Sequence, residues 1–119
     1  SPRYPELYKA SLYYFLWLKD LVNAHASFVY LENMGYHDRF FDYYKMLFFL
    51  MDSNDDELRA QINFYMNEYP TDFRGAAIRL LTYLKNDNIR EVYNEIGELE
   101  LRSGNFLMKL PLELEIDGL

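Results

Sequence analysis

Apolar and polar positions along most of the chain recur at helical spacing. On a wheel referred to Leu7, residues Tyr8, Tyr14, Phe15, Trp17, Leu18, Leu21 and Val22 fall in one broad half, and Lys9, Lys19 and Asp20 fall opposite. That pattern predicts an amphipathic helix, opened by Pro5 as a first-turn proline. Asn23 and Ser27 are candidate breaks before Gly35, which stands where a helix-ending C′ glycine belongs. A second helix is predicted from Asp38, an N-cap residue, over RFFDYYKMLFFLMD. Its polar residues Asp42, Lys45 and Asp52 occupy a narrow sector, and a helix apolar nearly all round is buried between neighbours. The ring of Phe40, Tyr44, Leu47, Phe48 and Met51 is therefore expected to form the centre of the core.

Ser53, Asn54 and Asp55 predict a turn and N-cap, with Asp56 and Glu57 favoured by the dipole of the following helix. Leu58, Ile62, Tyr65, Met66 and Tyr69 mark that helix, and Pro70 stops it. Thr71 or Asp72 caps the next, with Phe73, Ala76, Ala77, Leu80, Leu81 and Leu84 on one face. After a turn at Asn86 and Asp87, a last helix carries Ile89, Val92, Tyr93, Ile96 and Leu99 on one side and Glu91, Glu95 and Glu98 opposite, ending at Gly104. The period then changes. Leu110, Leu112, Leu114 and Ile116 alternate with Pro111, Glu113 and Glu115, as in a half-buried strand. The expected architecture is mainly α: an antiparallel bundle or short helical solenoid of about five helices, with residues 106–116 as an extended strap or strand. Pro111 confines such a strand to an edge.

Composition places this pattern in one domain of 119 residues, half of them hydrophobic. Twelve Tyr, nine Phe and one Trp give a large apolar payload with polar tips, and such residues dominate cores and interfaces. There is no Cys, hence no disulfide framework and no thiolate chemistry. The absence of Cys and of any Asn-x-Ser/Thr acceptor leans toward a cytoplasmic, intracellular setting. The apolar runs are far shorter than the ~20 residues of a bilayer span. The net charge is −7, of which eight acidic against three basic residues from Asp87 onward supply −5. Such a field repels nucleic-acid phosphate and anionic lipid and attracts basic partners.

Few residues are placed for chemistry. His25 and His37 stand in no spacing that puts two metal ligands on one helical face. Asp52, Asn54 and Asp56 match the first, third and fifth oxygens of a calcium loop, but Glu57 stands where glycine is required and Asn63 where the bidentate Glu belongs. No phosphate-binding glycine loop or nucleophile elbow is present. Arg74, Arg79 and Lys85 are too few for a nucleic-acid stripe. Tyr4, Tyr13, Tyr30 and Tyr36 lie near helix ends or off the apolar stripes, where interface tyrosines are found.

These observations lead to a non-enzymatic protein–protein interaction domain without a cofactor, adaptor-like or inhibitor-like, using aromatic and acidic surface to bind a basic protein partner. Glu91, Glu95 and Glu98 are the expected acidic contacts, and Leu112 and Leu114 the expected contacts of the C-terminal segment, through which a homodimer is also expected. Nucleic acid and membrane are not expected partners. The alternative is a helical accessory domain of an enzyme whose active site lies in another sequence. The opening on Ser1 and the unpaired terminal strand favour a module excised from a longer protein.

Overall fold

The computed structural model describes residues 3–103. Within them lie six helices: α1 (Arg3–Trp17), α2 (Leu21–Asn33), α3 (Arg39–Met51), α4 (Asp55–Glu68), α5 (Arg74–Lys85) and α6 (Ile89–Ser103). The expected count of about five is one short. The predicted first helix is broken at residues 18–20, not at Asn23 or Ser27. Lys19 takes a positive φ of 59°, and the amides of Lys19 and Asp20 close back on the carbonyls of Leu16 and Phe15. That is the two-bond C-terminal cap usually built on glycine. Asp20 then caps α2, accepting from the Asn23 N–H at 3.2 Å. The expected strap at 106–116, with Leu112 and Leu114, lies outside the described residues.

The same link occurs three times. Lys19, Ser53 and Asp87 all have φ between 54° and 59°. Each is followed by an N-cap residue, Asp20, Asn54 or Asn88, whose carbonyl accepts the first bond of the next helix, from Ala24, Leu58 or Val92. Three residues between helices force them to turn back as neighbours. Tyr8 stacks on Tyr30 in the α1–α2 hairpin, Gln61 Nε2 donates to the Asp42 carbonyl in α3–α4, and Arg79 pairs with Glu95 in α5–α6. The α1–α2 and α5–α6 contacts are those of antiparallel helices.

The three links are spaced by 34 residues, and burial follows the same period. Leu12, Met46 and Leu80 are buried at one register, as are Ala24, Leu58 and Val92 at another. Ser27, Gln61 and Glu95, three of the four buried polar residues among those described, share a third. The helices are thus three hairpins of one plan, at a length typical of helical-repeat units.

The chain divides into two units, Ser1–Gln61 and Ile62–Leu119. In the first, Phe28 of α2 receives Phe41, Phe48 and Phe49 of α3 at ring-centroid distances of 5.9, 5.3 and 5.7 Å. The expected central role of α3 is met, but by a different ring. Phe41, Tyr43, Met46, Leu47, Phe48, Phe49 and Leu50 are buried, whereas Phe40 is exposed and Tyr44 and Met51 are only half-buried. Asp42, assigned from the sequence to the polar sector, is buried as well. Its carboxylate meets His37 Nδ1 at 3.1 Å. A hydrogen-bonding partner in His37 and a rotated helix face account for both differences. In the second unit, Ala76, Leu80 and Val92 form a small core, flanked by Met66, Phe73, Tyr83 and Ile96. Gly75 lets α5 approach the end of α4: a Cβ there would stand 2.8 Å from Met66 Cγ.

Truncating Phe48 to Ala removes a buried ring and is expected to cost about 3–5 kcal/mol, while Phe40→Ala should cost under about 1 kcal/mol. Urea unfolding of the two variants checks the ordering. Gly75→Ala forces α4 and α5 apart and is expected to lose about 1–3 kcal/mol despite the better helix propensity of Ala. An unchanged urea midpoint would contradict that close approach.

Candidate functional site

Three polar clusters and one apolar face stand out, and each follows from local sequence. At the α2–α3 turn, Gly35 supplies a positive φ, and Asp38 caps α3 through the Phe41 N–H at 2.8 Å. Lys9 of α1 reaches this turn, with its Nζ 3.1 Å from Tyr36 Oη, Asp38 Oδ2 and Glu6 Oε2. The sequence places Lys9 on a polar face; the structure folds it onto α3 with only 17% of its side chain exposed. Burial works against its charge, but hydrogen bonds to Tyr36, Glu6 and Asp38 outweigh it and raise its pKa above the ordinary lysine range. For Asp38, burial likewise opposes ionisation, and bonds from Tyr36, the Phe41 N–H and Lys9 hold the carboxyl below its usual value. The cluster sets one cation, Lys9, against two carboxylates, Asp38 and Glu6. It fastens α1 to the start of α3.

A second cluster closes the α4–α5 turn. Arg74 grips Asp72 with Nε 3.0 Å from Oδ1 and Nη2 2.8 Å from Oδ2, the two-pronged geometry that suits guanidinium and carboxylate. Tyr65, fully buried, donates to Asp72 at 2.6 Å and accepts from Arg74 at 3.0 Å. Asp72 also takes the Arg74 N–H at 3.1 Å. The expected cap at Thr71 or Asp72 is therefore Asp72, acting from one residue before the N-cap position at Phe73. Burial pushes the Asp72 carboxyl up, and the Arg74 and Tyr65 bonds more than reverse this, leaving it below its ordinary value. Burial and the bond to Asp72 push the Tyr65 phenol up.

The third cluster bears on the expected acidic contacts. Glu95 is buried, and both its oxygens bond Arg79 Nη2, at 2.9 and 3.0 Å. It faces α5, so it does not stand beside Glu91 and Glu98 on an open face. Glu91 is half-buried and Glu98 is exposed. The reason lies in the register: residue 95 sits where Ser27 and Gln61 also turn inward. The histidines are packed or paired. His25 stacks on Phe48 at 5.7 Å and lies 6.2 Å from Phe28, and His37 meets Asp42. Among the described residues no group of three or more His, Asp or Glu is arranged to hold a metal ion. No helix there is long and apolar enough to cross a membrane.

The apolar face belongs to α1. Leu12 and Leu16 are buried, whereas Tyr4, Leu7, Tyr14, Trp17 and Leu18 stay exposed. Tyr4, Leu7, Ser11, Tyr14 and Leu18 follow alternating steps of three and four, the spacing of a helix–helix seam. The sequence reading put Tyr14, Trp17 and Leu18 on a single core-facing half. In the structure only a narrower stripe of that half is covered. The signal that separates the two stripes is the 34-residue offset, which aligns Leu7 with Phe41 and Tyr14 with Phe48.

No protein family, curated protein or solved structure matches this chain.

Acid should act on the second cluster with a definite sign. Because the Asp72 carboxyl ionises at lower pH in the folded chain than its ordinary 3.8, the unfolded state takes up the proton first as pH falls. The stabilisation is whole above about pH 5 and lost below that as pH falls through the folded value. Asp72→Asn is expected to lose about 1–3 kcal/mol at neutral pH and to flatten the acid limb of a thermal-midpoint profile. A parallel acid limb in the variant would contradict this assignment.

Proposed function

We propose that this chain is a protein–protein interaction module whose principal docking surface is the outer face of α1. The observation that carries the reading is the exposed seam of Tyr4, Leu7, Tyr14 and Leu18, with Trp17 at its flank. About half of five large side chains remains in water, which amounts to on the order of 500 Å² of mostly apolar surface. That is at the upper end of what a monomer leaves open in one patch. It approaches the ~800 Å² that each partner contributes to a standard interface. The polar tips of Tyr4 and Tyr14 suit a surface that is wet when free and dry when covered. The occupant is a helix of a second protein chain, because steps of three and four interlock with the same steps on a facing helix.

Charge adds a second element. With Glu95 committed to Arg79, Glu91 and Glu98 remain of the three expected acidic contacts on α6 to steer a basic partner. Their contribution falls on the association rate and weakens with salt. The tight internal pairing of Lys9, Asp38, Asp72 and Arg74 supports structural roles for those groups.

A photo-crosslinking residue at position 14, introduced in cells of the source organism, should trap a partner at α1. With that partner purified, Leu7→Asp and Tyr14→Asp are each expected to weaken binding at least about tenfold, as central apolar contacts do. Asn67→Asp, on the exposed side of α4, should leave affinity unchanged. Equal affinity for all three variants would remove α1 as the docking surface.

A further inference from the structure

The 34-residue register sets the α1 face beside its equivalents in the other hairpins. In the second hairpin, the positions equivalent to Leu7 and Tyr14 are Phe41 and Phe48. They are 1% and 4% exposed, because α2 of the preceding hairpin covers them through Phe28 and His25. In the third hairpin, the residue equivalent to Leu7 is Gly75, which lies against Tyr65 and Met66 of α4. At this register the first helix of a hairpin is covered by the second helix of the hairpin before it. In the first hairpin, Leu7 is 58% and Tyr14 57% exposed. The face has the pattern of an internal repeat junction but no cover among the described residues.

The complementary half of the junction is carried by α6. The α2 residues that do the covering, His25 and Phe28, correspond to Tyr93 and Ile96 of α6, and Leu21 corresponds to Ile89. Tyr93 is 72% exposed, Ile89 is exposed and Ile96 is half-buried. Terminal repeats of a helical array normally carry a polar outer face that prevents such ends from meeting. Here the first and the last described helix each leave large apolar residues exposed.

We propose that the chain associates with itself head to tail, the α6 face at Ile89, Tyr93 and Ile96 of one copy covering the α1 face at Leu7 and Tyr14 of the next. The occupant rests on the reading of α1 as a docking surface, and it repeats between copies the junction that joins α2 to α3 within one. The contact uses different patches on the two copies, so it leaves a free end at each step and extends rather than closing as a two-fold dimer. Each copy carries a net charge of −7, so repulsion opposes the contact and salt, by screening it, strengthens the association. A basic partner on an acidic surface would show the opposite dependence.

The test is sedimentation velocity of the whole 119-residue chain from about 10 μM to about 1 mM, the range of weak interfaces, at low and high salt. Average mass should rise with concentration, and more steeply at high salt. Leu7→Asp and Tyr93→Asp, both exposed positions whose helicity is checked by circular dichroism, should each weaken association at least about tenfold. An equimolar mixture of the two variants should form a one-to-one dimer and stop there, since only one intact junction remains. A chain that stays monomeric under all conditions overturns the proposal. So does association that Leu7→Asp weakens and Tyr93→Asp does not, which would mean α1 against α1. A monomer that still yields a crosslinked partner at position 14 rejects the self-association alone and leaves the α1 docking reading standing.

Discussion

Three residues are all that separate the two helices of each hairpin, and most of the structure follows from that constraint. A link this short closes only if its middle residue takes a left-handed conformation, which lets two amides bond back to the last turn while the next residue caps the following helix. Lys19, Ser53 and Asp87 hold that conformation without being glycine, at a cost of about 1–2 kcal/mol each relative to the right-handed backbone. The returned hydrogen bonds and the packing of the two helices offset it. Once the helices must turn back on one another, the faces they share are set. Buried positions then recur at the spacing of the links.

The registers that repeat are not filled uniformly. One inward position of the second helix in each hairpin is polar: Ser27, Gln61, Glu95. Gln61 and Glu95 each reach across to the first helix of their own hairpin, to the Asp42 carbonyl and to Arg79. A buried polar group is tolerable only with such a partner, and removing the partner costs more than the bond contributes. These pairs tie the two helices in register, where apolar contacts alone would let them slide. The aromatic payload does the rest of the work unevenly, concentrated on the α2–α3 contact around Phe28. The third hairpin relies on the close approach at Gly75 and on small residues such as Ala76 and Ala77.

The same economy governs how the charged groups are placed. Charged groups that the fold brings together are matched to one another: Lys9 with Asp38 and Glu6, Arg74 with Asp72, Lys45 with Glu32. Among the described residues the fold also leaves an apolar face of α1 open. Register-equivalent residues are covered in the second hairpin and open in the first, and that difference is what the proposed junction rests on.

Local features were legible in the sequence because their causes are local. Helical spacing marked every helix except the break inside the first. Asp38, Asn54 and Asp72 cap helices because a side-chain oxygen near a free amide needs no distant partner, and Pro70 follows the end of α4 because it cannot continue a helix. The break at 18–20 was not legible, since Lys19 carries none of the signal that glycine carries at Gly35. Which side of an apolar helix is covered depended on neighbours. Phe40 and Phe41 are adjacent and chemically identical, yet α2 covers only one of them. Glu95 looks in sequence like Glu91 and Glu98, and only the position of Arg79, sixteen residues away, turned it inward. The repeat was hidden for the same reason. Its conserved content is geometry, a left-handed residue and a cap every 34 positions, which residues as different as Lys, Ser and Asp can satisfy once tertiary packing holds them there.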